Sequence, residues 1–195
     1  MLPLEVVFVL IVVIWGLVGA VRGFSKEIGA SIVIVLAMAA LRIFGPMLIS
    51  YFNKIVGTLT SFQIPVARAV PTGVDPFCAA PTAEQFIFYT LTFGAIVFMG
   101  YQGETLSVAV NFSKLTGSIS GLFVGLANGY LIAGNLWYFL DKCARYNVPA
   151  LGIKDVGVLS PTALTIIKVL PLNLIGEPIL LLGLLFLLLI LRIAK

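Results

Sequence analysis

The chain contains no histidine, only two cysteines and few charges, with twelve Lys and Arg against eight Asp and Glu in 195 residues. Without histidine there is no imidazole for acid/base work and none of the usual histidine metal sites. Two cysteines make no zinc cluster. Neither a phosphate-cradling glycine loop nor a Gly-x-Ser-x-Gly elbow occurs, so the expectation is a protein that is not an enzyme and needs no metal or cofactor. The basic residues are scattered over loops and helix ends instead of forming a stripe. That distribution suits anchoring at a membrane surface and argues against nucleic acid as a partner.

What the chain has in place of charge is apolar sequence: 61% of its residues are hydrophobic, and the mean hydropathy is +1.15. Two long apolar runs, Leu4 to Val21 and Ile28 to Leu41, flank the charged junction Arg22-Gly23-Phe24-Ser25-Lys26-Glu27. Runs near this length cross roughly 30 Å of hydrocarbon as helices, and their unbroken character argues against barrel strands. Glu5 precedes the first run with no basic leader or small-residue cleavage site, so the first helix is expected to be retained. The predicted fold is all-α, a polytopic transmembrane helical bundle of four to five spanning helices, with residues 1–195 as one membrane domain. Helices are expected at about 4–21, 28–51, 83–111, 118–140 and 172–191. A proline-broken loop is expected over 54–82, and a surface segment carrying a short amphipathic helix over 143–170. Gly45-Pro46 should kink or end the second helix. The two basic residues of the short first loop and the basic C-terminal end favour an N-out orientation.

Several side chains are candidates for a role. Gly117, Gly121, Gly125 and Gly129 recur every four residues and line one slowly winding face of the fourth helix, with Asn128 and Asn135 near its edge. Gly16 and Gly19 make a small face on the first helix. Such ladders either seat a neighbouring helix or line a conduit, and packing is the expected use. Arg22, Gly23, Phe24, Lys26 and Glu27 form the hinge, with Gly23 suited to a positive φ. Arg42 and Glu104 are the candidate intramembrane ionisable groups: the expected place for Glu104 is the headgroups, if the apolar span stops at Tyr101, with membrane depth on an extension of the third helix as the alternative, and Arg42 has the option of snorkelling. Glu177 is expected to cap its helix beside Pro178. Cys78 and Cys143 fall on the same side of the membrane in either orientation, so an oxidising side allows them to pair, the alternative being two unpaired, partly buried thiols.

The pieces Gly19-Ala20-Val21-Arg22-Gly23-Phe24-Ser25-Lys26-Glu27 and Lys114-Leu115-Thr116-Gly117, with Leu159-Ser160-Pro161 and Leu170-Pro171 beyond them, resemble the colicin V production protein family of bacterial inner-membrane proteins. Members of that family tend to carry an Asp-Arg pair before the fourth-helix glycines and an Arg-Gly within that helix. This chain reads Ser118-Ile119-Ser120 and Asn128-Gly129 there. The resemblance implies a multi-pass protein of the bacterial cytoplasmic membrane associated with toxin production or export and envelope physiology. Its partners would be the lipid bilayer and other membrane-protein subunits or further copies of itself. Two other functions fit the residues: an accessory subunit of an energy-transducing or export complex, and a small-solute or proton conduit stepping through Glu104, Asn111, Asn128 and Asn135.

Overall fold

A computed structural model of the chain describes residues 3–60, 62–65, 76–78, 81–102, 114–149 and 159–193. It is an all-α bundle and a membrane protein. Four helices are long and apolar enough to cross a bilayer, and a bent helix pair near the C-terminus makes up to five.

The first crossing, α1 (Leu4–Arg22), ends where Gly23 adopts φ 81° and ψ 162°, and the Gly23 amide still donates to the Gly19 carbonyl. The second, α2, begins at the next residue and runs Phe24–Leu59. The hinge is therefore narrower than the sequence suggested. Gly23 alone reverses the chain, while Phe24, Lys26 and Glu27 belong to the first turn of α2, and Glu27 N–H donates to the Gly23 carbonyl at 3.2 Å. Nor does Gly45-Pro46 end α2 near residue 51, since Pro46 lies inside the helix. Proline removes one ladder bond, but packed neighbours sustain the helix here. Gly45 is seated so closely that an added Cβ would come within 2.7 Å of the Tyr89 ring. That ring stacks on Phe77 with centroids 4.2 Å apart.

The third crossing, α3 (Ala83–Gln102), runs antiparallel to α2 and returns to the hinge end. Its expected extension to residue 111 lies outside the described residues. The fourth, α4 (Lys114–Phe139), starts at the hinge end, four residues before the expected boundary. It closes in one π-helical turn, Leu140–Ala144. Arg145 and Tyr146, with φ of 47° and 59°, then turn the chain away.

The expected fifth helix over 172–191 is not continuous. Instead α5 (Pro161–Lys168), α6 (Pro171–Ile175) and α7 (Pro178–Ile193) follow one another, and the pair bends by 74° before α7. Prolines open all three helices, because a residue lacking N–H fits only where a helix has no bond to make. Ser160 caps α5, its hydroxyl accepting from the Ala163 amide at 3.0 Å. Glu177 serves the start of α7 through its backbone carbonyl, which accepts from Leu181 N–H at 3.1 Å. In space α1 lies along α4, while α2 is the central helix and touches α3, α4 and α7.

Candidate functional site

Polar groups inside apolar helices must find one another, because hydrocarbon offers no partner and each unmade hydrogen bond costs about 1–3 kcal/mol. Among the described residues one cluster beneath the hinge answers that demand, while Trp15 Nε1, Gln85 Oε1, Thr90 Oγ1 and Asn135 Oδ1 are buried without a hydrogen-bond partner. Glu27, one turn into α2, is completely buried, as is Asn128 halfway along α4. Arg22 Nη1 donates to Glu27 Oε1 at 2.7 Å. Glu27 Oε2 accepts from the Tyr101 hydroxyl at 3.2 Å and from Asn128 Nδ2 at 2.9 Å. The same amide nitrogen donates to the Glu27 backbone carbonyl at 3.0 Å. Ser31 Oγ lies 2.7 Å from Asn128 Oδ1 and 3.0 Å from the Glu27 carbonyl, and donates to either.

Arg22 also ties down α3. Its Nη2 donates to the Tyr101 carbonyl at 3.1 Å, and its guanidinium lies 4.5 Å from the centre of the Tyr101 ring. Trp15 of α1 meets the same ring edge-on at 6.2 Å. One carboxylate thus collects a guanidinium, a phenol and an amide from the three other crossing helices. The charges cancel locally, which makes a buried ion pair tolerable. Exposure within the pair is unequal, however: the Arg22 side chain keeps 20% of its surface and Glu27 keeps none.

The glycines bring the helices close enough for this to happen. A Cβ added at Gly125 would sit 2.5 Å from the Trp15 carbonyl oxygen and 2.9 Å from Gly19 Cα, and one at Gly129 would sit 2.9 Å from Val12 Cα. Added atoms at Gly19 and Gly121 would collide with each other's backbone, while Gly16 faces the Leu126 side chain at 2.6 Å. Gly117 stands across from the hinge, its carbonyl 3.9 Å from where a Cβ of Gly23 would be. At the next residue, Ser118 Oγ donates at 2.7 Å to the Ala20 carbonyl, one of the orphan acceptors at the end of α1.

Other candidates lie elsewhere. Asn135 is buried but donates to its own helix, at the Leu131 carbonyl, 2.6 Å away, so it does not continue the Asn128 cluster. Arg42 reaches the break before α7, where its Nε donates to the Gly176 carbonyl at 3.1 Å, and it lies over the Phe77 ring at 5.7 Å. Cys78 and Cys143 form a disulfide with Cα atoms 5.0 Å apart, at the end of the bundle opposite the hinge. Glu104 and Asn111 lie outside the described residues. Among those residues no group of His, Cys, Asp or Glu side chains is placed to hold a metal ion.

Sequence reasoning missed the central carboxylate, because Glu27 reads as part of a charged, wet loop. A signal was present: Ser31 follows Glu27 by one helical turn inside an apolar run, and Asn128 lies inside another, so each needs a partner at depth.

The φ of 81° at Gly23 makes a prediction of its own. Gly23→Val forces a β-branched residue into left-handed space, at a cost of about 1–2 kcal/mol. We expect less protein in the membrane and altered cysteine accessibility at both ends of α1. Parental levels with unchanged labelling would show that φ is not critical there.

No family model, no curated protein and no solved structure matches this chain.

Proposed function

We propose that the chain is a non-enzymatic, multi-pass protein of the bacterial inner membrane, akin to the colicin V production family. It acts through helix contacts with other membrane proteins in toxin production or export, or in envelope physiology. One observation carries the reading. The two sequence pieces that resemble the family most, residues 19–27 and 114–117, are far apart in the chain yet adjoin at the Gly23–Gly117 approach. Where the family tends to carry charges, Ser118 and Asn128 instead bond to the Ala20 carbonyl and to Glu27. On this reading the shared wording serves the construction of the hairpin. Contact surface remains outside, on α1 at Val9, Leu10, Ile14 and Leu17 and on α7 at Ile179 and Phe186.

Native mass spectrometry from mild detergent tests the proposal. Assemblies with another membrane protein, or with further copies, are expected, and a partner-free monomer alone would overturn it. An accessory subunit of an export or energy-transducing complex is the narrower form of the same reading, and co-purification with that complex identifies it. The conduit reading now centres on Glu27, since it is a fully buried carboxylate. It requires a proteoliposome flux that falls in Glu27→Gln.

The disulfide gives the orientation a test. Disulfides persist on the oxidising side of a bacterial membrane, so the Cys78–Cys143 end faces outward and the Arg22–Lys26 turn faces the cytoplasm, in keeping with the basic bias of short cytoplasmic loops. In intact cells, membrane-impermeant maleimide should label Cys78 and Cys143 only after reduction by an impermeant phosphine. Labelling without reduction would contradict the bond, and no labelling after reduction, with labelling restored once the cells are opened, would contradict this orientation. Cys143→Ser should lower stability by about 2–4 kcal/mol, the usual worth of a bridge closing a long loop.

A further inference from the structure

The helices α1 and α3 meet at the hinge end through Trp15, Arg22 and Tyr101, but toward the disulfide end they part, and α4 floors the gap between them. The result is an apolar crevice of about 190 Å³ that includes Leu4, Val7, Phe8 and Ile11 of α1, Phe86 of α3 and Trp137 of α4. From Leu4 to Ile11 a helix rises roughly 10 Å, against a leaflet of about 15 Å of hydrocarbon. Water is a poor occupant of such a space, since it needs two to four polar partners. Yet Trp137 spends its indole N–H on the Tyr146 hydroxyl, at 3.1 Å.

That Trp–Tyr pair stands at the disulfide end of α4, where the chain leaves the helix. Just beyond it the chain carries Lys142, in a 3.0 Å ion pair with Asp141, and the exposed Arg145. Headgroup phosphates belong at this level, and the crevice extends from it into the hydrocarbon. We propose that the crevice is a lipid site. One acyl chain of a phospholipid in the leaflet on the disulfide side lies between α1 and α3, with its phosphate at the level of Lys142 and Arg145. The inference goes beyond the proposed function and rests only on the membrane location.

Trp137 makes the proposal measurable, because it is only 5% exposed and lipid reaches it only by entering the crevice. The full-length Trp15→Phe variant is reconstituted in phosphatidylcholine brominated near the carboxyl end of its chains. Trp137 fluorescence should be strongly quenched relative to unbrominated vesicles. Val7→Phe, which fills the crevice from its half-exposed lip without disturbing the core, should cut the quenching at least twofold. As a control for insertion, Leu17→Trp in a Trp15→Phe/Trp137→Phe background places the reporter on the outer face of α1, where bromolipid quenches it in any inserted protein. A quenched Leu17→Trp reporter with an unquenched Trp137 would overturn the proposal. So would quenching of Trp137 that Val7→Phe leaves unchanged, or quenching that disappears as protein crowding rises, which would put a second copy in the crevice.

Discussion

Gly125→Leu is expected to leave little correctly folded protein in detergent. The leucine side chain must start from a Cβ placed 2.5 Å from the Trp15 carbonyl oxygen and 2.9 Å from Gly19 Cα, and both obstacles are backbone. Side chains relieve a clash by changing rotamer, whereas here α1 itself must move off α4. Overpacking in a well-packed core typically costs about 1–3 kcal/mol, and this position belongs at or above the top of that range. Separating α1 from α4 also breaks the Ser118–Ala20 bond and draws Trp15 away from Tyr101. The control is Gly94→Leu, in α3, where an added Cβ meets nothing within 4 Å. It makes the same chemical change in another apolar helix and should melt at or above the parental temperature, because leucine is the better helix former by up to about 1 kcal/mol. Equal loss in both variants would mean that added bulk, and not the ladder, is responsible.

Arg22→Ala should be nearly as damaging, and more so than Glu27→Gln. Removing one partner of a buried ion pair costs about 3–5 kcal/mol, most of it from the charge left behind. The two members of this pair leave different remnants. Without Arg22, the Glu27 carboxylate keeps its phenol and amide donors but is fully buried with its neutralising charge gone. Without the Glu27 charge, Arg22 can extend from its one-fifth-exposed position toward headgroups, as long basic side chains do near helix ends. Thermal unfolding in detergent should rank the parent above Glu27→Gln and Glu27→Gln above Arg22→Ala. The double variant Arg22→Ala/Glu27→Gln should recover part of the loss, and a double variant no better than Arg22→Ala would show that the pair is not coupled. This assignment also changes what Arg22 is for. As a loop residue its removal disturbs orientation, but as the partner of a buried carboxylate it governs folding first.

Much of this was legible in the sequence. The bundle follows from apolar runs long enough to span, and the glycine ladder was visible because four small residues at spacing four must share a face. Which helix fills the groove was not legible. The sequence offers Gly16 and Gly19, but pairing them with α4 instead of the adjacent α2 depends on where Gly23 sends the chain. The continuation of α2 past Pro46 was hidden too, because propensity counts the lost hydrogen bond and not the packing of Phe77 and Tyr89 around Gly45. The break before α7 was misread for the opposite reason. A nearly pure leucine run suggests one straight helix, but Pro178 has no N–H to give the Leu174 carbonyl one turn back, and Arg42 holds the Gly176 carbonyl at the bend.

The pairing of α1 with α4 also sets a clock on synthesis. Gly19 and Gly125 are about 100 residues apart, and ribosomes add roughly 5–20 residues per second, so α1 waits on the order of 5–20 s for its partner. During that interval its glycine groove faces lipid or the insertion machinery, and Glu27 lacks the Asn128 amide. The hairpin made first thus stays open until the fourth helix emerges, and slowing translation between codons 60 and 114 lengthens the time in which a nascent chain is open to proteolysis.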